Sequence, residues 1–168
     1  DYHTLVRVLG KDAISRLRET VVRPTDKKDH YVKRCVALPG DVLEIKDGLV
    51  WINGEKQEVY EGVQLSYKVK TNGQRINAKT LDKIGMNVQE LYFDSSLPGY
   101  PAMMLTSKAL QEISQLPNVV SIEDNLDRNP EECSLEIFPF TEDSGWTRDF
   151  YGPLWIPKKG ETVSLDST

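Results

Sequence analysis

Cysteine and histidine are scarce in this chain of 168 residues, with two of each. Cys35 and Cys133 lie far apart and form no C-x-x-C pair. His3 and His30 have no H-x-x-x-H or H-E-x-x-H companion. A disulfide framework takes more cysteines and a structural zinc site takes four ligands, so both classes fall away. The two thiols are expected to be unpaired or buried. Also lacking is an apolar run of the ~18 residues that a membrane-spanning helix needs. Basic residues are outnumbered, 21 against 26 acidic, for a net charge of −5. That excludes the basic footprint of a nucleic-acid-binding domain. No G-x-x-x-x-G-K phosphate loop, dinucleotide fingerprint or G-x-S-x-G elbow occurs, so no cofactor is expected.

What is present is ordinary globular material, 39% apolar and 28% charged. A chain of this length buries roughly 70% of its unfolded surface, enough for a proper core. The start at Asp1, with no signal peptide after it, reads as a cut end.

The fold class predicted from the pattern is mainly β with an α+β insert. Residues 1–29 form a helical lead-in: Leu5, Val6, Leu9, Ala13, Ile14 and Leu17 recur at helical spacing, interrupted at Gly10. Arg23-Pro24 ends it, and residues 25–29 are a charged loop. Residues 30–60 and 146–168 belong to a β-rich core. His30 to Leu38 is β-prone and closes at Pro39-Gly40. Val42–Lys46 and Leu49–Ile52 flank Asp47-Gly48, the signal for a type I′ hairpin, because both turn residues need positive φ. Residues 161–165 read as the start of a further strand.

Residues 61–145 form the insert, an α+β unit followed by an acidic loop from Glu123 to Gly145. Its strands are expected at 65–70, 102–105 and 119–122. One helix spans 78–84, with Asn77 as N-cap and Gly85 beyond its end. A second runs from a cap at Thr106 or Ser107 to Leu116, with an apolar stripe of Ala109, Leu110, Ile113 and Leu116. Pro98-Gly99-Tyr100-Pro101 reads as a rigid loop. Trp51, Trp146 and Trp155 read as core or rim aromatics, and Lys27-Lys28 and Lys158-Lys159 as solvated surface.

One residue raises a chemical question. In a strand Tyr31, Lys33, Cys35 and Ala37 share one face, and Val32, Arg34, Val36 and Leu38 the other. Lys33 then stands among largely apolar neighbours. An apolar wall favours the neutral amine, which is how a lysine becomes a general base. Spacing by itself equally fits an edge or snorkelling lysine.

The stretch Tyr31-Val32-Lys33-Arg34-Cys35-Val36-Ala37-Leu38-Pro39-Gly40-Asp41 is followed by Leu43-Glu44-Ile45, Asp47-Gly48, Val50 and Ile52-Asn53-Gly54. It resembles the lysine box of bacterial type I signal peptidases, with Ala37 where the family usually has glycine. The segment Gly152 to Gly160 resembles a part of the long, insert-bearing members. The resemblance implies a serine endopeptidase with a Ser/Lys dyad. Such an enzyme is held at the bacterial inner membrane, its catalytic domain facing the periplasm or exterior, and removes signal peptides from exported pre-proteins. Lys33 would be the general base and Arg34 an architectural ion-pairing residue. Tyr31 would pack beside the lysine, and Pro39, Gly40 and Asp41 would form the turn that follows.

The departures matter as much. The family nucleophile sits in an S-x-S-M box upstream of the lysine, whereas the upstream serine here is Ser15, in Ile14-Ser15-Arg16. The downstream G-D-N-R box and the N-terminal anchors are also absent from these residues. The expectation is a fragment that carries the base without the nucleophile and does not cleave by itself, with Lys33 exposed where flanking strands are missing. Its unpaired sheet edges make a dimer by edge pairing an expected partner state. Two other classes stand beside this reading. One is a non-catalytic binding module with a structural lysine, its acidic loop docking a partner. The other is a repressor-type self-cleaving Ser/Lys protease, whose cleavage segment and serine are not found here.

Overall fold

A computed structural model describes residues 2–17, 21–133, 137–140 and 144–164. It is a mainly β chain with a few helices, as the sequence pattern predicts. The chain divides into two compact units. The first comprises Asp1–Ile45, Val50–Glu55 and Arg128–Thr168, and the second Lys46–Leu49 and Lys56–Asp127.

In the first unit the helical lead-in is broken where glycine interrupts it. Helix α1 spans Tyr2–Leu9 and α2 spans Lys11–Leu17, with Gly10 between them. Ile14 is buried, while Leu5, Leu9 and Leu17 remain exposed. Residues 25–27 turn as a short 3-10 helix.

Strands β1 (Val42–Lys46), β2 (Leu49–Ile52), β3 (Glu55–Lys56) and β7 (Tyr151–Trp155) form a four-stranded sheet in the order β3-β2-β1-β7. Asp47 and Gly48 both take positive φ, 53° and 72°, as a type I′ turn demands. Strand β7, from the closing segment, lies antiparallel to β1 with Val42 opposite Trp155 and Leu43 opposite Leu154. The register slips between Leu43 and Ile45. Gly152 sits at that irregularity with φ 92°, where a Cβ would lie 2.5 Å from the Leu43 carbonyl oxygen. Only glycine lets the two backbones come this close. Nearby Thr147 is buried, its hydroxyl accepting from the Phe150 N–H at 3.1 Å, and Trp146 packs on Tyr151 with ring centroids 4.6 Å apart.

The second unit holds the larger hydrophobic core. Strands β4 (Leu65–Thr71), β5 (Gly99–Leu105) and β6 (Val119–Asp124) form an antiparallel sheet in the order β5-β4-β6. The period-2 pattern sends Val69 and Thr71 inward and Lys68 and Lys70 outward. Helix α3 (Ala78–Lys83) is capped by Asn77, whose side chain accepts from the Lys79 N–H at 2.9 Å. Helix α4 (Ser107–Ser114) is capped by Thr106, which accepts from the Ala109 N–H at 3.2 Å. Leu81, Ala109 and Ile113 from these helices join Val69, Ile76, Tyr100, Met103 and Leu105 in one cluster. The Tyr100 hydroxyl accepts from the buried Ile76 N–H at 3.0 Å, satisfying both polar groups.

Three expectations are corrected. His30 to Leu38 forms no strand: no strand of the sheet pairs with it, and a β-prone segment without a ladder partner stays irregular. Residues 161–164 form none either, and Leu165 lies outside the described residues. Gly99, Tyr100 and Pro101 are not loop but the start of β5, drawn into the sheet by the burial of Tyr100 against the core. The acidic stretch also carries a short helix, α5 (Pro130–Cys133). Among the described residues no helix is long and apolar enough to cross a membrane.

Candidate active-site segment

Lys33 sits in the irregular segment that leads into β1, with its side chain exposed. Its Nζ lies 5.9 Å from the centroid of the Tyr31 ring, within cation–π range. Tyr31 is 81% and Val32 94% exposed, so no apolar wall encloses the amine here. Arg34 is exposed. Cys35 is a free, exposed thiol that donates to the Ala37 carbonyl at 3.2 Å. Cys133 falls in α5, and its side chain lies outside the described residues. Ser15 is on the exposed side of α2, its hydroxyl donating to the Asp12 carbonyl at 2.9 Å.

Beginning at Leu38, two residues after the exposed Val36, the chain is firmly held, and the holding groups are those of the Pro39-Gly40-Asp41 turn. The Asp41 N–H donates to the Leu38 carbonyl at 3.0 Å, and the Leu38 N–H donates back to Asp41 Oδ2 at 2.8 Å. The other carboxylate oxygen, Oδ1, accepts from Asn53 Nδ2 at 2.9 Å. Asn53 in turn accepts the Val42 N–H on its Oδ1 at 2.9 Å and donates its own N–H to the Val42 carbonyl at 2.9 Å. From β7's end, Ile156 exchanges two bonds with the turn. Its carbonyl accepts from the Gly40 N–H at 2.6 Å, and its N–H donates to the Asp41 carbonyl at 2.8 Å.

The turn is thus a junction between the lysine segment, β1, the end of β2 and the end of β7. Its electrostatics follow from the same bonds. The Leu38 N–H, then the Asn53 amide, and least the nearby positive charge of Lys158 hold the Asp41 carboxyl below its ordinary value, against an opposing effect of burial that outweighs that of Lys158. The sequence assigns Asn53 no part in the site, yet it is the anchor for Asp41. The signal was there: asparagine tolerates positive φ, 53° at Asn53, and brings both a donor and an acceptor to a tight turn. The contributions of Ile156 and Lys158 come from over a hundred residues further along the chain and have no local signal.

Chemically, the segment offers a primary amine on an irregular stretch whose C-terminal end is fixed to a sheet. Among the described residues no group of three or more His, Cys, Asp or Glu is placed to hold a metal ion.

The sequence pattern of the family described as "Signal peptidase, peptidase S26" matches residues 8–101, a stretch that contains Lys33, the turn and the hairpin. Signal peptidase IB of Staphylococcus aureus strain Mu50 is 43% identical over 49 residues, which make up 29% of this chain and 26% of that enzyme. Signal peptidase I P of Bacillus subtilis subsp. natto is 44% identical over 36 residues, 21% of this chain and 20% of that enzyme. The chain therefore aligns with about a quarter or less of the length of these curated relatives. No solved structure matches. The match over more than half of the chain, together with the lysine segment, turn and hairpin in one continuous run, places this chain among the type I signal peptidases of peptidase family S26.

Proposed function

We propose that this chain supplies the general base of a signal peptidase I, a serine endopeptidase that works through a Ser/Lys dyad. The observation that carries the reading is the Lys33-Arg34 pair at fixed spacing from a Pro39-Gly40-Asp41 turn, which is tied by hydrogen bonds to the β1–β2 hairpin, all within the family match. In this reading Lys33 takes the proton of a serine hydroxyl as that oxygen attacks the scissile carbonyl. It then returns the proton to the leaving amine. The nucleophilic serine comes from a segment outside these 168 residues, because Ser15 is engaged on α2 in a sequence unlike the family's serine box. Docking of that segment beside Tyr31 to Leu38 would give the irregular stretch its missing strand partner and Lys33 its apolar surroundings.

The substrates are signal peptides of exported pre-proteins. The enzyme is anchored in the bacterial membrane through a segment outside these residues, with its catalytic domain facing the exterior. Incubation of this chain with a signal-peptide substrate is expected to leave the peptide intact, whereas the full-length enzyme cleaves it and its Lys33→Ala variant does not. Turnover by the variant at the parent rate would remove Lys33 from the mechanism, and serine-dependent turnover by the chain alone would show that the nucleophile lies within it.

A further inference from the structure

Asparagine followed by glycine occurs twice, at Asn53-Gly54 and Asn72-Gly73. Without a Cβ on the second residue, its backbone nitrogen can swing against the asparagine Cγ with little hindrance. The two dipeptides are chemically identical, and the fold treats them differently. The Asn53 amide is held at both ends, its Nδ2 donating to Asp41 Oδ1 and its Oδ1 accepting from the Val42 N–H, each at 2.9 Å. Asn72 lies exposed just past the end of β4. Its Oδ1 accepts from the Gln74 N–H at 3.2 Å, and its Nδ2 has no partner among the described residues. That bond, from a side-chain oxygen to the N–H two residues on, closes an Asx turn over the Gly73 peptide. It polarises the side-chain carbonyl and leaves the amide nitrogen free to depart.

We propose that Asn72 is a site of spontaneous deamidation and that the hydrogen bonds to Asp41 and Val42 protect Asn53. The Gly73 nitrogen gives its proton to solvent and attacks Asn72 Cγ. A new C–N bond forms, and Nδ2 takes up a proton and leaves as ammonia, closing a succinimide ring. Water then adds to either ring carbonyl and opens the ring to aspartate or isoaspartate. The net change is amide plus water to carboxylate plus ammonium, with no oxidation or reduction. The new carboxylate falls where the Asn72 N–H donates to the Asn118 carbonyl at 3.0 Å, joining the end of β4 to the approach to β6. Isoaspartate inserts a methylene into the backbone at that junction.

The test is to incubate the folded protein at mildly alkaline pH and to follow both sites by mass spectrometry of tryptic peptides. Thr71–Arg75 and Asp47–Lys56 carry one site each. A parallel sample in urea sets the intrinsic rates. In urea the two sites are expected to convert alike. In the folded protein Asn72 is expected to convert at least roughly tenfold faster than Asn53, since attack at Asn53 must first break two hydrogen bonds. Conversion of Asn53 as fast as Asn72 in the folded protein would overturn the proposal. So would an Asn72 that stays intact while the urea sample reacts. The Asp41→Ala variant, which frees Asn53 Nδ2, is expected to raise the Asn53 rate and leave that of Asn72 unchanged. An unchanged Asn53 rate in a folded variant would remove the protecting role from Asp41.

Discussion

At Asp41 one carboxylate serves two parts of the chain, accepting the Leu38 N–H on one oxygen and the Asn53 amide on the other. Both bonds favour the ionised form, so its carboxyl titrates lower in the folded than in the unfolded chain. A group with a depressed folded pKa stabilises the fold above its unfolded value, and that stability is lost as the pH falls through the folded value. Asp94 belongs to the same class, held down first by the Ser96 hydroxyl and then by the Ser96 and Leu97 N–H groups. The stability of the chain is therefore expected to decline as the pH falls below about 4, where ordinary aspartates protonate. In denaturant titrations across that range, Asp41→Asn should flatten this acid limb. An acid limb identical to that of the parent would show that Asp41 contributes nothing to it. Lys33 differs in kind. It is exposed and does not hold the fold, so Lys33→Ala is expected to leave the free energy of unfolding within about 0.5 kcal/mol of the parent while abolishing cleavage in the full-length enzyme.

Among the elements, the pairing of β1 with β7 depends on Gly152. A Cβ there meets the Leu43 carbonyl oxygen, and the positive φ adds strain for any other residue. Gly152→Ala is expected to cost about 1–3 kcal/mol and to free β7 first. Hydrogen exchange should report faster exchange at the Ile156 and Gly40 amides, with those of β4 unchanged. The hairpin of β1 and β2 was legible in the sequence because its turn chemistry is local: Asp47-Gly48 specifies the geometry by itself. Helices α3 and α4 were legible for the same reason, through Asn77 and Thr106 as caps. The segment from His30 to Leu38 was misread because strand propensity describes fitness for a sheet, and a sheet position depends on neighbours that propensity does not contain. Tyr100 was misread in the opposite direction. Its Pro and Gly neighbours signal a loop, and burial of the ring, edge-on to Phe93 at 5.1 Å, overrides them.

Taken whole, the chain is packed unevenly: β1 and β2 are half-buried, while the deepest packing lies in the unit built on β4, β5 and β6, whose strand β4 and helix α3 the family match also covers. Met103 and Leu81 there are 0% and 1% exposed. Met103→Ala is expected to cost about 2–5 kcal/mol through lost burial and the cavity left behind, measured as a lower denaturant midpoint with an unchanged slope. A cost under about 1 kcal/mol would mean that the cluster collapses around the gap.

By itself the sequence determined the mainly β class, the hairpin, the capped helices, and the lysine segment with its turn. Each of these is written in contiguous residues, where spacing, propensity and turn chemistry act. Tertiary structure decided three things that no local pattern holds. It brought β7 and Ile156 from the far end of the chain to close the sheet and grip the turn. It recruited Asn53 to hold the Asp41 carboxylate. It left Tyr31 to Leu38 outside the sheet, with no strand paired to it. Hydrogen-bonding capacity along a sheet edge is finite, and which segment occupies it is settled by the whole fold, whatever the β propensity of the segment left outside.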